Sequence, residues 1–251
     1  MRGHGGWCEE LAEPAKSGAA TAPRPWHEAR NLALRRAERH LDGMGAMLTR
    51  TEIERAIRLS GVRRSDYDLN PEKTITNKGR LLRPAAVLCG LVERSGGLSV
   101  ILTKRPDTMR EHAGQIAFPG GKVDPGDCDC VAAALRETEE EVGLPPSAVE
   151  ILGRIDPYET GTGFRIDPIV AMVDPDYPLI PDPREVDEAF EAPLDFLMDP
   201  ANLKRHSGVW GGRERLYYAI PWRERYVWGA TAGILKSLAD RIAALEDLKA
   251  G

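Results

Sequence analysis

The chain has 251 residues, 42% of them hydrophobic, and a formal net charge of −5 at pH 7. That length holds one good-sized domain with appendages, and that apolar content is enough for a core. The acidic balance argues against a general nucleic-acid or membrane-surface binder, and no apolar run approaches the roughly 20 residues of a membrane span.

Residues 1–25 are rich in Gly, Ala, Pro and charge without periodicity and read as disordered. Residues 26–42, rich in Arg, Ala and Leu, suit a loose helix. The start shows no secretory pattern, and Glu9, Glu10 and Glu13 argue against a transit peptide. Residues 1–46 are therefore read as an N-terminal extension and 47–80 as a helical lead-in, with Leu48-Thr49 opening a helix near 51–60. Within the main domain, 81–248, residues 83–92 and 99–104 read as strands joined by the hairpin signal Ser95-Gly96-Gly97. Residues 115–118 form a short strand leading to Gly120-Gly121, and an acidic helix follows. Residues 150–158 and 165–173 read as strands around Thr160-Gly161-Thr162-Gly163. Pro175, Pro178, Pro181 and Pro183 mark a loop, and 185–190 turns toward a helix at 193–198. Residues 216–220 are the last predicted strand. Residues 228–248 form an amphipathic helix with Ile234, Leu235, Leu238, Ile242 and Leu245 on one face. There is no internal repeat. Four cysteines (Cys8, Cys89, Cys128, Cys130) give no disulfide framework in so long a chain, and free thiols in a reducing cytoplasm fit them better.

The most informative stretch is 118–144, FPGGKVDPGDCDCVAAALRETEEEVGL. A turn-rich segment runs into a short helix on which Glu137, Glu140 and Glu141 share one face. Gly143, Pro145 and Pro146 stop that helix, so the glutamates crowd its C-terminal turns, where the macrodipole disfavours them. Local stability alone would not choose acids there. Three hard oxygen ligands on one face suit Mg²⁺ or Mn²⁺. Val131, Leu135 and Val142 on the opposite face can pack on a core, and Arg136 can pair with Glu140 one turn on. A solvated acidic face is the plainer reading of any Glu-rich helix. Here the Gly-Gly turn, the Arg-Glu start and the Glu-Glu-x-Gly end occur together, which favours a site.

This stretch resembles the Nudix box, G-x5-E-x7-R-E-U-x-E-E-x-G-U with U a bulky aliphatic, through Arg136, Glu137, Glu140, Glu141, Gly143 and Leu144. Thr138 replaces an aliphatic, the first half is one residue longer, and Asp127 stands nearest the first acidic position while Cys128 occupies the strict register. Residues 101–121, ILTKRPDTMREHAGQIAFPGG, are similar to the signature of the coenzyme A pyrophosphatase branch through Thr103, Arg105, Arg110, Gly114, Phe118, Pro119, Gly120 and Gly121. Pro106 departs from it. Residues 227–234 look like the same branch's final helix entry. The resemblance spans roughly 48–245, which leaves a start at Met47 as an alternative that the mass of the native protein decides.

The resemblance implies an α/β fold, the Nudix α/β/α sandwich with a mixed sheet. It implies a cytoplasmic, divalent-metal-dependent hydrolase of the diphosphate of CoA or acyl-CoA, monomeric or homodimeric, with no nucleic-acid or membrane partner. The catalytic set is then Arg136, Glu137, Glu140 and Glu141. Glu137, Glu140, Glu141 and the Gly121 carbonyl would hold Mg²⁺ or Mn²⁺, with Arg136 orienting Glu140. Arg105, Arg110, His112 and Gln115 would bind substrate, though His112 serves equally well as a turn cap. The general base stays open among a box glutamate, Glu185 and Glu188. Trp222 and Trp228 could stack on adenine or line the pantetheine arm, although packing suits a single aromatic better. A nucleoside triphosphate, ADP-ribose or NADH hydrolase, or a non-catalytic nucleotide-binding module, are the alternatives.

Overall fold

The structure, a computed structural model, describes residues 48–61, 64–71, 81–109, 112–210 and 212–250. The N-terminal extension expected over 1–46, and Arg110, lie outside them.

Helix α1 (Arg50–Arg58) opens with a full capping box, the Thr49 hydroxyl accepting the Glu52 N–H while the Glu52 carboxylate accepts the Thr49 N–H. Strands β1 (Arg83–Arg94) and β2 (Gly97–Lys104) form the expected hairpin. Then come β3 (Ile116–Ala117), β4 (Gly120–Lys122), helix α2 (Cys130–Val142), β5 (Val149–Arg154), β6 (Tyr158–Glu159) and β7 (Phe164–Val173). The C-terminal part holds β8 (Glu188–Pro193), α3 (Leu194–Met198), β9 (Lys204–Trp210), β10 (Arg213–Trp222), β11 (Arg225–Trp228) and α4 (Ala230–Ala250).

Eight strands make one mixed sheet. Its path is β3-β2-β1-β7-β5, with β4 on β1, β6 on β7 and β8 on β2. The pair β1–β7 is parallel along ten residues, from Arg83 opposite Phe164 to Val92 opposite Val173. On its other edge β1 pairs with β2 at one end and with β4 at the other. That second pairing, Val87 opposite Gly120 and Ala86 opposite Gly121, fixes the Gly-Gly turn against the central strand.

Side-chain alternation divides the core into two layers. Cys89 and Leu91 of β1, Val100 and Leu102 of β2 and Val170 and Met172 of β7 pack with Ile53 and Ala56 of α1 and with Ile234, Leu235, Leu238 and Ile242 of α4. Ala86, Leu88 and Val92, Ile101, and Ile169, Ala171 and Val173 pack on the other side with Ala133, Ala134 and Val142 of α2. Helices thus cover both faces, which makes the expected α/β/α sandwich. No helix among the described residues is long and apolar enough to cross a membrane.

Several boundaries differ from the sequence reading. The strand expected over 150–158 is two, because a bulge between Ile151 and Gly153 bends β5 off the ladder and Pro157 precedes β6. Residues 188–190, expected to lead into a helix, instead begin strand β8, held on β2 from Ser99 to Lys104. The single last strand is the centre of a separate sheet, β11-β10-β9. Trp228, expected to open the last helix, ends β11, and Gly229 in left-handed backbone (φ 65°) makes the turn into α4.

Arg241 of α4 is buried, which no motif or periodicity in the chain signals. Its guanidinium donates to the Leu59 carbonyl at the end of α1 and to Asp156 Oδ2 at 2.6 Å, so one side chain satisfies orphan helix carbonyls and ties three elements together. Arg241→Ala is expected to cost about 1–3 kcal/mol in urea unfolding, because those acceptors lose their donor inside the fold. A loss below roughly 0.5 kcal/mol would show that water replaces it.

Candidate active site

The site is assembled where α2 crosses the Gly-Gly turn of β4. Asp129 caps α2 by accepting the Ala132 N–H at 2.8 Å, and Gly143 ends it in left-handed backbone (φ 68°). Beyond that end, the N–H groups of Asp182 and Ile180 donate to the carbonyls of Glu141 and Val142, at 2.9 and 2.8 Å. The proline-rich loop therefore finishes the helix that the acids destabilise.

Arg136 is the hub of the exposed half. It meets both Asp127 oxygens at 3.0 Å, Glu137 at 3.1 Å, Glu140 at 3.3 Å and the Lys122 carbonyl at 3.2 Å. Arg136 thus does more than orient Glu140, since its two-point bond is to Asp127. That bond holds the Asp127 carboxyl below the usual carboxylate range. Cys128, in the strict register of the box, is exposed and free of this network. Thr138, the departure from an aliphatic, is fully buried, and its hydroxyl donates back to the Ala134 carbonyl at 2.6 Å, so the core-facing position takes it without an orphan donor.

Glu141 is the opposite case. Only 3% of it is exposed, and its Oε2 accepts the Gly120 N–H at 3.1 Å. Arg105 Nη1 stands 3.6 Å from Oε1. Burial outweighs both and pushes the carboxyl up to about 7. Burial also raises Glu137, against the pull of Arg136. The Glu137 carboxylate lies against the bare Cα of Gly121, where a Cβ would overlap it. Glu185, on the proline-rich loop, adds negative charge felt by both Glu137 and Glu141. Glu188 does not face the site and is ion-paired with Arg225.

Among the described residues no three His, Cys, Asp or Glu side chains are gathered round one point. Glu137 and Glu140 turn to Arg136, and Glu141 turns to Gly120. The donor chemistry nonetheless fits a hard divalent cation. Three carboxylates project from one helix end, one of them buried with too little positive charge beside it, and a glycine backbone lies open against another.

Of the predicted substrate residues, Arg105, His112 and Gln115 line one cavity of about 340 Å³. His112, in left-handed backbone (φ 57°), opens the turn closed by the Gln115 N–H on its carbonyl, so it shapes the turn as well as the cavity wall. Lys104 is held by Asp107 and Asp187. Trp228 lines the cavity, edge-on to Tyr217 at 5.3 Å. Trp222 does not, being buried and stacked on Phe190 at 5.9 Å. Sequence reading missed Asn70, Thr160, Arg215 and Tyr217, which reach this cavity from distant segments and carry no motif.

A NUDIX domain model matches residues 81–214. The uncharacterized Nudix hydrolase NudL of Escherichia coli (strain K12) is 43% identical over 166 residues, covering 64% of this chain and 83% of that protein. The protein of the same name from Cronobacter sakazakii is 42% identical over the same shares. Among solved structures, the Nudix hydrolase RenU of M. smegmatis is 18% identical with a TM-score of 0.43, over 67% of this chain and 86% of that one.

Two glycines separate stability from function. A Cβ at Gly120 (φ 147°) would strike the Ala86 carbonyl and Val87 backbone, so Gly120→Ala is expected to destabilise by about 1–3 kcal/mol. Gly121→Ala meets only the flexible end of Glu137 and should melt near wild type with turnover sharply reduced. Equal melting losses would contradict this. In metal-free protein, stability from a protonated Glu141 is present below about pH 4.5 and lost as pH rises through about 7. Glu141→Gln should flatten that slope in pH-dependent melting; an unchanged slope would place its source elsewhere.

Proposed function

The chain belongs to the NUDIX domain family, and on that premise we propose that it hydrolyses the diphosphate bond of coenzyme A or acyl-CoA. The products would be 3′,5′-ADP and 4′-phosphopantetheine or its acyl form. The observation that carries this reading is the position of Arg105. It belongs to the 101–121 motif similar to the CoA pyrophosphatase signature, and it links Glu141 to the 340 Å³ cavity. A diphosphate on the box glutamates would have its attached group beside that cavity.

A bound divalent cation, Mg²⁺ or Mn²⁺, supplies neutralisation of the phosphate oxygens and a nucleophilic water. We assign its ligands to Glu137, Glu140, Glu141 and the Gly121 carbonyl. Arg136 is a positioning residue, fixed by Asp127 so that it sets Glu137 and Glu140. Releasing either carboxylate from Arg136 costs little, because these are partly exposed ion pairs. Glu141, poorly solvated by protein, is the acid with most to gain from a cation. We assign proton removal from water to the Glu185 carboxylate, the loop acid whose charge reaches both Glu137 and Glu141. Arg105 offers a cation to the diphosphate once Glu141 is engaged. Arg110 completes the motif in sequence.

A second reading is a hydrolase of another nucleoside diphosphate derivative or of a nucleoside triphosphate; the aromatic cavity walls, Phe164, Tyr217 and Trp228, favour a base of any kind. A binding module without catalysis is disfavoured because Glu137, Glu140 and Glu141 are all present.

Mass spectrometry of products from CoA, ADP-ribose, NADH and dGTP, with Mg²⁺ or Mn²⁺, separates these readings. The expected result is 4′-phosphopantetheine and 3′,5′-ADP from CoA, abolished by EDTA and reduced about 100-fold or more by Glu141→Gln. Turnover of another nucleotide alone would overturn the CoA assignment.

A further inference from the structure

The 340 Å³ cavity contains more than its proposed role beside the diphosphate requires. Its wall combines aromatic side chains (Phe164, Tyr217, Trp228) with two guanidinium groups, Arg105 and Arg215. The Nε of each arginine is buried and has no hydrogen-bond partner among the described residues. The Arg215 side chain makes no hydrogen bond or ion pair among the described residues, so the cavity wall carries a guanidinium whose acceptor the protein does not supply. Arg105 has a loose ion pair with Glu141 at 3.6 Å, whereas Arg215 has no acid within ion-pair distance among the described residues.

Arg215 is also held in place. It precedes Leu216 on β10, and the buried Asn70 side chain grips Leu216 as a neighbouring strand would. Asn70 Nδ2 donates to the Leu216 carbonyl at 2.8 Å, and its Oδ1 accepts the Leu216 N–H at 2.9 Å. A further bond from Nδ2 to the Asp66 carbonyl fixes Asn70 itself. Alternation along β10 puts Arg215 on the same side as Tyr217, next to the aromatic wall. The one acid in the lining is Asp66. Its carboxylate accepts the Tyr158 hydroxyl at 2.9 Å and the Gly161 N–H at 2.7 Å, and it forms no ion pair with Arg215.

We infer that this cavity is a recognition pocket for a phosphorylated nucleoside, its aromatic side chains taking the base and Arg215 pairing with a phosphate on the ribose. The inference rests on the diphosphate-hydrolase reading for why such a group arrives there, but not for whether it binds. A planar guanidinium with an unpaired edge matches phosphate oxygens at two points, and ring faces accept a base without sequence-like constraint. An acyl chain would use the apolar wall but leave the Arg215 guanidinium without an anion.

The test is calorimetric titration of the full chain with 3′,5′-ADP, 5′-AMP and 4′-phosphopantetheine, for wild type, Arg215→Ala and Arg215→Lys, without metal. Wild type should prefer 3′,5′-ADP to 5′-AMP. Arg215→Ala should weaken 3′,5′-ADP about tenfold or more while leaving 5′-AMP nearly unchanged, and Arg215→Lys should restore part of the difference. In turnover, Arg215→Ala should raise KM for CoA and not for dephospho-CoA, with kcat kept. Unaltered 3′,5′-ADP affinity, equal loss on both adenine ligands, or a loss confined to 4′-phosphopantetheine would each overturn the inference. Arg215-dependent binding without hydrolysis of CoA would sink the hydrolase reading and leave the pocket standing.

Discussion

Three carboxylates at the C-terminal end of a half-buried helix are opposed by the helix dipole, by one another and, at Glu141, by desolvation. Much of the surrounding architecture answers that opposition. Gly143 and the N–H groups of Ile180 and Asp182 take up carbonyls that would otherwise deepen the negative field. Arg136, locked on Asp127, offsets Glu137 and Glu140. Glu141 receives one backbone N–H and a distant guanidinium, and its carboxyl remains raised. The deficit sits at the one position where a cation would relieve it and where the backbone of Gly120-Gly121 stands closest.

The rest of the fold holds that deficit in place. Long parallel pairing of β1 with β7 makes β1 rigid, and β4 borrows that rigidity through three paired residues. The proline-rich loop finishes α2 and in the same few residues brings Glu185 to the site. Arg105, at the end of β2, connects Glu141 to a cavity built from α4, β10 and the 64–71 segment. The acid-rich helix end and the cavity are thus built from different parts of the chain and meet at Arg105.

What the sequence made legible was local. The 3.6-residue spacing of Glu137, Glu140 and Glu141 placed them on one face, and the Gly-Gly turn placed them beside a backbone; the structure brings both together. The apolar, β-rich runs at 83–92 and 165–173 marked two central strands with little error, because both are buried along most of their length. What was hidden depended on distant partners. Strand β8 forms on its pairing with β2, which makes a strand of a stretch that read as a turn toward the next helix. Strands β9 and β11 lack apolar alternation because their sheet is partly exposed, so only β10 was visible. The cavity wall was invisible for the same reason, since Asn70 and Arg215 carry no pattern and meet only through tertiary contact. Trp222 and Trp228 look alike in sequence and differ only in where β10 and β11 aim them.

The account stands on one claim, that the acid-rich end of α2 exchanges its arginine and backbone partners for a divalent cation. Anomalous diffraction from crystals of the full chain soaked in Mn²⁺ tests it most directly. The account predicts a peak near the Gly121 carbonyl and the carboxylates of Glu137, Glu140 and Glu141, with those side chains turned from their positions on Arg136 and Gly120. A manganese peak elsewhere, or none at that place while these carboxylates keep their present partners, would contradict it.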